Sequence, residues 1–154
     1  MKNSFNKDTL KGLNHLLTRN KDAANGFVEV ANNITYVNMT KWLIDWAKKH
    51  ESNAKALESI IQEGDGDADA STSILGELHH AWIDIKSQLT NDDTSGLLNE
   101  CIAGQEKALN DYDDIMSIDM PDMVKEIIKI QRVGISQSIS ELKSLKKNAE
   151  KIDA

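Results

Sequence analysis

Apolar residues recur at alternating three- and four-residue intervals along four long segments of the chain. This spacing places them on one face of an α-helix, so each segment predicts a helix with a single apolar seam. Four such helices predict an all-α bundle in which the seams face one another. The seams, with their polar members included, are Leu10, Leu13, Leu17, Asn20, Ala24, Phe27, Ala31 and Ile34; Met39, Leu43, Trp46, His50, Asn53, Leu57 and Ile60; Leu98, Cys101, Gln105, Ala108, Tyr112 and Ile115; and Val124, Ile128, Gln131, Ile135, Ser138, Leu142 and Leu145.

Every seam turns polar near its middle. If the first two helices form an antiparallel hairpin that turns near residues 35–37, and the last two form one that turns near residue 119, the polar positions come level with one another. We therefore expect them to meet in one slab across the centre of the bundle. These positions are Asn20, His50, Asn53, Gln105, Gln131 and Ser138.

The four helices are expected at about 8–34, 38–62, 94–118 and 121–151, with Asp8 or Thr9 capping the first and Asp119 the last. Between the second and third lie an acidic linker, at about 63–72, and a shorter amphipathic helix, at about 72–89. This connection is long enough to carry the chain from one end of the bundle to the other. A bundle with one such crossover has the ferritin-like topology. The prediction is a single domain, residues 1–154: a ferritin-like four-helix bundle with a short fifth helix in the crossover.

The charge of the chain constrains its partners. The formal net charge is −7, and the basic residues do not cluster outside the last helix, so we expect binding neither to nucleic acid nor to a membrane surface. No segment approaches the roughly 20 apolar residues of a membrane span. A single cysteine, Cys101, and a polar start without a signal peptide favour a cytoplasmic protein.

The inward polar residues allow two interpretations. In ferritin-like proteins this position holds a dinuclear metal site built from glutamates and Glu-x-x-His pairs. Here it holds amides, a hydroxyl and one imidazole, which bind hard divalent cations weakly because no anionic oxygen is present. The favoured reading is a hydrogen-bonded core with no metal. The alternative is a surviving iron or manganese site that uses a nearby carboxylate of Glu29, Glu51, Glu100 or Glu106 together with His50, Asn20, Asn53, Gln105 and Gln131.

The remaining candidates are weaker. His79 and His80 are adjacent, so on a helix they point about 100° apart and cannot chelate one ion together. Trp42 lies beside its seam, where it either packs in the core or extends an apolar face toward a partner. Tyr112 is expected in the core with its hydroxyl near the rim, and Cys101 is expected to be inert on its seam. No nucleophile–base motif or phosphate-binding glycine loop occurs, so no catalytic residue is assigned.

Three stretches resemble a known family. Gly76–Lys86 (GELHHAWIDIK) is similar to the pattern GxLHRxWxxLK, and Glu100–Leu109 (ECIAGQEKAL) is similar to ECExGEDxAL. Asp22–Phe27 (DAANGF) resembles a first-helix motif, DGxxG followed by an aromatic residue. All three patterns are those of a bacterial ferritin-like four-helix-bundle family of unknown function, the domain of unknown function 2383, which these stretches resemble. The resemblance implies a cytoplasmic bundle, sometimes linked to stress responses, with no established reaction.

The chain departs from that family at acidic positions. Ile102 and Gln105 stand where the pattern is acidic, and Ser136 and Gln137 stand near a His-Asp pair that often occurs in the last helix. These departures favour loss of any ancestral metal chemistry. The predicted function is therefore a non-enzymatic ferritin-like bundle, a homodimer without cofactor, in a stress-related role. The alternatives are an iron- or manganese-binding oxidase or storage protein, and a dimeric partner-binding module.

Overall fold

A computed structural model describes residues 5–64 and 93–153 of the chain. This part contains four α-helices and no strand. We number them α1 (Lys7–Ala31), α2 (Val37–Glu63), α3 (Thr94–Met116) and α4 (Asp122–Asp153). The predicted fifth helix and almost all of the predicted acidic linker, with His79, His80 and the whole Gly76–Lys86 motif, lie outside the described residues. No described helix is long and apolar enough to cross a membrane.

Side chains at two of the helix starts satisfy backbone groups that the helices leave unpaired. The Asn6 side chain accepts a hydrogen bond of 2.8 Å from the Thr9 backbone N–H, so the cap of α1 lies two or three residues before the predicted Asp8 or Thr9. Asp93 caps α3 by accepting from the Gly96 N–H at 2.9 Å, as the Asn-Asp-Asp sequence before that helix indicates.

The observed ends differ from the predicted ones by up to three residues. Helix α1 ends at Ala31 rather than Ile34, because the Asn32 and Asn33 N–H groups close the last turn on Val28 and Val30. Helix α3 ends at Met116 rather than 118. Asp119 does not cap α4; its carbonyl instead accepts a 2.9 Å hydrogen bond from the Thr9 hydroxyl. Pro121 precedes the first residue of α4 and its carbonyl accepts from Val124 and Lys125.

The helices form two antiparallel hairpins, α1–α2 and α3–α4, whose directions follow from contacts at both ends. At one end, Thr9 of α1 reaches the turn before α4, and Phe5 bonds to Gly64 after α2. At the other end, Lys146 of α4 bonds to Asn99 near the start of α3. Helices α2 and α3 therefore run in the same direction, so Gly64 after α2 and Asp93 before α3 lie at opposite ends of the bundle.

The core is built from the predicted seams. Apart from Leu10, Asn53 and Leu145, which are half-buried, every seam residue is buried. Helix pairs α1–α2 and α3–α4 pack along most of their lengths, α1 also packs on α3, and α2 meets α4 at few positions. Gly12 lets α1 approach α3 closely, since a Cβ there would lie 3.3 Å from Ile115. The side between α2 and α4 is consequently the loosest of the four.

A partly buried ion pair ties α1 to α3 beside the core. The Arg19 guanidinium lies 2.5 Å from Asp111 and only 8% of the Arg19 residue is exposed, while His15 approaches the same carboxylate at 3.2 Å. Burial acts to raise the pKa of Asp111, but His15 and Arg19 outweigh it and hold that pKa below its usual value.

Asp111→Ala is expected to lower the free energy of unfolding by about 2 kcal/mol, because it leaves the Arg19 charge buried without its partner. Urea denaturation at pH 7 measures the loss. The matched control is Asp113→Ala on the same helix, which removes the exposed pair with Arg132. Equal effects of the two substitutions would contradict the prediction.

Candidate functional site

The polar residues of the four seams meet in one slab, as their spacing predicts. Hydrogen bonds that involve their side chains join seven residues, which we define as the polar layer. They are Asn20, His50, Asn53, Gln105, Tyr112, Gln131 and Ser138. Each of the four helices contributes at least one member. Only Asn53 is less than fully buried. A continuous polar network therefore crosses an otherwise apolar core.

Asn20 is the centre of the polar layer. Its amide nitrogen donates to the Leu16 carbonyl on its own helix and to the Tyr112 hydroxyl on α3, each at 2.8 Å. Its amide oxygen lies 2.7 Å from His50 Nδ1 and accepts from Asn53 Nδ2 at 3.3 Å. The side chain has no exposed surface. One amide thus joins three helices. The Leu16 carbonyl can only accept a hydrogen bond, so the Asn20 NH₂ group, and not its oxygen, must face it.

Tyr112 is the member that sequence reasoning placed incorrectly. We expected its hydroxyl near the rim, but the residue is fully buried and the hydroxyl donates to Gln131 Oε1 at 2.7 Å. Burial raises the pKa of Tyr112, and the hydrogen bond from Asn20 only partly offsets this. A signal was available, because Tyr112 follows Gln105 by seven residues, which is two helical turns along the same seam.

His50 sits between amides and aromatic rings. Its Nδ1 faces Asn20 and its Nε2 lies 3.0 Å from Gln105 Oε1. Phe27 packs edge-on against the imidazole and Trp46 packs at a tilt, each with ring centroids 5.4 Å away. Burial lowers the pKa of His50 to about 4, although the Gln105 hydrogen bond acts to raise it. The imidazole is therefore neutral at neutral pH.

The other members connect the polar layer to α4. Gln105 Nε2 contacts Ser138 Oγ at 2.8 Å, and that hydroxyl donates to the Ile135 carbonyl at 2.6 Å. Gln131 Nε2 donates to the Asn53 backbone carbonyl at 3.3 Å, which closes the network between α4 and α2. Few other contacts join these two helices, so this hydrogen bond lies on the loosest side of the bundle.

The residues of the polar layer do not fit a dinuclear metal site. None is a carboxylate, and both nitrogens of its only imidazole face protein oxygen atoms. Glu51 and Glu106 are exposed, and Glu29 and Glu100 are half-buried outside the network. Within 5–64 and 93–153, no group of three or more histidine, cysteine, aspartate or glutamate side chains is placed to hold a metal ion. Neutral amides supply neither the charge nor the bridging oxygen that two divalent cations need.

The two remaining candidates on the described helices, Cys101 and Trp42, are both packed against the core. Cys101 is fully buried, and burial, followed by the charge of Glu100, raises the pKa of its thiol, which keeps it protonated. Trp42 is half-buried rather than projecting: it packs against Phe27 and Trp46, and its indole N–H donates to Glu141 on α4 at 3.3 Å. These three contacts give Trp42 a role inside the protomer.

A shallow groove of about 330 Å³ runs along the loose α2–α4 side and reaches the polar layer. Asn53 and Gln131 of the polar layer line the groove together with Trp46 and Gly134. Lys49, which also lines it, places its Nζ 4.8 Å from the Trp46 ring centre.

The relationship of the sequence to known families classifies the chain. No curated protein matches it. The family model described as a domain of unknown function (DUF2383) matches residues 8–117, which is more than half of the chain and covers α1, α2 and α3. The chain, a bundle of helices with a polar layer at its centre, belongs to the DUF2383 family of domains of unknown function.

Proposed function

We propose that this chain is a non-enzymatic ferritin-like bundle whose polar layer is structural. The observation that carries the proposal is the mutual pairing of the polar layer. Its buried side chains lie within hydrogen-bond distance of one another or of backbone carbonyls, and none of them is a carboxylate or a thiol. A site that binds metal or substrate needs groups held open for it.

The polar layer suits a register-setting role. A buried polar residue in a helical seam disfavours every alignment that leaves it without a partner, at some cost in stability. Here one slip of α1 by a helical turn would remove Asn20 from both Tyr112 and His50. An apolar core tolerates such shifts better, because apolar contacts are not directional. The polar layer therefore gives the bundle one alignment of its four helices.

The direction of the helices supports the ferritin-like part of the proposal. Helices α2 and α3 run in the same direction, as do the two helices that flank the long connection of ferritin-like folds. The polar layer then occupies the level at which such folds hold a dinuclear metal site. In this view amides have replaced the carboxylates of that site. Gln105, for example, stands at a position that is acidic in the family motif ECExGEDxAL. The rival function is an iron- or manganese-binding oxidase or storage protein.

Metal analysis separates the two functions. The protein purified from cells grown with added iron and manganese is expected to carry less than about one tenth of a metal ion per chain, because the polar layer offers no anionic ligand. Elemental analysis by mass spectrometry measures the ratio. His50→Ala tests whether any bound metal is at the polar layer, and His15→Ala, at a histidine outside it, is the control. Near-stoichiometric metal that is lost only in His50→Ala would overturn the proposal.

We further propose that the protein acts as a cytoplasmic homodimer in a stress-related role and binds neither nucleic acid nor membranes. The net charge of −7 supports the absence of nucleic-acid binding, and resemblance to the family motifs supports the role in stress. Exposed apolar side chains support self-association: on α4, Met123 is 79% exposed and Ile130, two turns later on the same face, is 69% exposed. At the start of α2, Val37 is 78% exposed.

Light scattering tests the dimer. Wild-type protein is expected to have twice the mass of one chain, and Met123→Asp is expected to shift it toward the monomer, because a charge would be buried at the contact. Ser140→Asp, at an exposed polar site on the same helix, is the control. A monomeric wild type, or a dimer that Met123→Asp and Val37→Asp both leave intact, would contradict the proposal.

A further inference from the structure

His50 has an oxygen atom opposite each of its ring nitrogens. Asn20 Oδ1 lies 2.7 Å from Nδ1, and Gln105 Oε1 lies 3.0 Å from Nε2. A neutral imidazole has one donor nitrogen and one acceptor nitrogen, so it can bond to only one of the two oxygens. The other oxygen would face a nitrogen lone pair. This arrangement of atoms therefore suits an imidazolium, which donates from both nitrogens.

The surroundings of the ring disfavour that positive charge. From α1 it meets Asn20 and Phe27, and from α3 it meets Gln105. The titratable Tyr112 and the hydroxyl of Ser138 on α4 reach it only through these amides. On its own helix, Lys49 lies over the Trp46 ring and Glu51 is exposed. Among the described residues no carboxylate contacts the ring, so at neutral pH the ring is neutral and one neighbouring amide must present an N–H instead.

Gln105 is the amide that can turn over. Asn20 cannot, because a turned Asn20 would place its oxygen against the Leu16 carbonyl. A turned Gln105 places Nε2 against His50 Nε2 and Oε1 against Ser138 Oγ. The Ser138 hydroxyl accommodates the change, because it can donate either to the Ile135 carbonyl or to Gln105 Oε1. Every polar atom of the three side chains then has a partner around a neutral ring.

We propose that His50, Gln105 and Ser138 form a proton-linked switch in the core, in which a proton taken up by His50 turns the Gln105 amide over and reverses its hydrogen bond with Ser138. In the neutral state Ser138 donates to Gln105, and Gln105 donates to His50 Nε2. In the protonated state His50 donates to Gln105, Gln105 donates to Ser138, and Ser138 donates to the Ile135 carbonyl. The proton comes from water, and no charged side chain changes position.

Nuclear magnetic resonance of the nitrogen-15-labelled protein tests both states. At pH 7 we expect His50 Nδ1 to carry the only ring proton, and a nitrogen–nitrogen coupling across the hydrogen bond between Gln105 Nε2 and His50 Nε2. On acid titration of the folded protein, Nε2 is expected to gain a proton and the coupling to disappear. Gln105→Met, which cannot donate to the ring, is expected to lack the coupling at every pH.

Three results would overturn the proposal. The first is an absent coupling at pH 7. The second is a ring proton on Nε2 at pH 7, which would leave Gln105 unturned. The third is unfolding of the chain before Nε2 gains its proton, since the switch requires a folded protonated state. Each of these results can be told apart from a failure of the proposed structural function, because that function is tested separately by the metal content of the protein.

Discussion

Asn20→Leu is expected to lower the free energy of unfolding by about 4 kcal/mol. The leucine has a similar volume, but it removes the only bonds that Asn20 offers to His50 Nδ1 and to the accepting side of the Tyr112 hydroxyl. Leaving each of these buried groups without a hydrogen-bond partner lowers the free energy of unfolding by about 1–3 kcal/mol. Asn53 is half-buried, so water can replace its weaker bond. The expected loss is a large fraction of the free energy of unfolding of a typical domain, which is about 5–15 kcal/mol.

Urea denaturation at pH 7 measures this effect, with the m-value reporting whether the folded state stays equally compact. The control is Asn25→Leu, at an exposed position on the same helix, where we expect a change within about 0.5 kcal/mol. A double variant, Asn20→Leu with Tyr112→Phe, should cost less than the sum of the two single changes, because both remove the same hydrogen bond. A loss below 1 kcal/mol for Asn20→Leu would show that the polar layer repacks freely.

The free energy of unfolding is expected to rise by about 3 kcal/mol between pH 4 and pH 7 on account of His50 alone. In the folded protein its pKa is lowered to about 4, whereas an unfolded histidine titrates near 6.5. Between these values the unfolded chain binds the extra proton and the folded chain does not. Stability is therefore complete above the unfolded pKa, and it is lost as the pH falls toward the folded pKa.

The contribution of His50 is isolated by comparison with His50→Gln, whose side chain does not titrate. The difference in unfolding free energy between the two proteins, measured at intervals from pH 4 to pH 7.5, should grow with pH and level off above about 6.5. Other groups whose pKa changes on folding, such as Asp111, act equally in both proteins and cancel in the difference. Two parallel stability curves would mean that His50 has the same proton affinity folded and unfolded.

Local sequence patterns were sufficient for the four helices and their inward faces. The three-and-four spacing of residues such as Leu13, Leu43 and Ile128 can be satisfied on one side of an α-helix and nowhere else. The ends were less accurate, because a cap depends on which side chain reaches the backbone. Asn6, rather than Asp8 or Thr9, accepts from the Thr9 N–H and so begins α1.

The sequence also indicated that the polar interruptions would meet, since hairpin geometry brings Asn20 level with His50 and Gln105 level with Ser138. It could not indicate which atoms would bond. Tyr112 shows why: its position on the seam was clear, but the fate of its hydroxyl depends on Asn20 and Gln131, which lie 92 and 19 residues away along the chain. A phenol at the same position could equally have reached water if α1 packed less closely.

The sequence by itself determined the four helices, their apolar faces and the absence of carboxylates from the centre of those faces, because helical periodicity and side-chain chemistry are local properties. Only the tertiary structure decided what the central polar groups do. Three helices enclose His50 with amides and aromatic rings, and this burial lowers its pKa and sets the partners of Asn20, Gln105 and Tyr112. Desolvation and hydrogen-bond direction depend on neighbours that are distant in sequence, so they are absent from any local pattern.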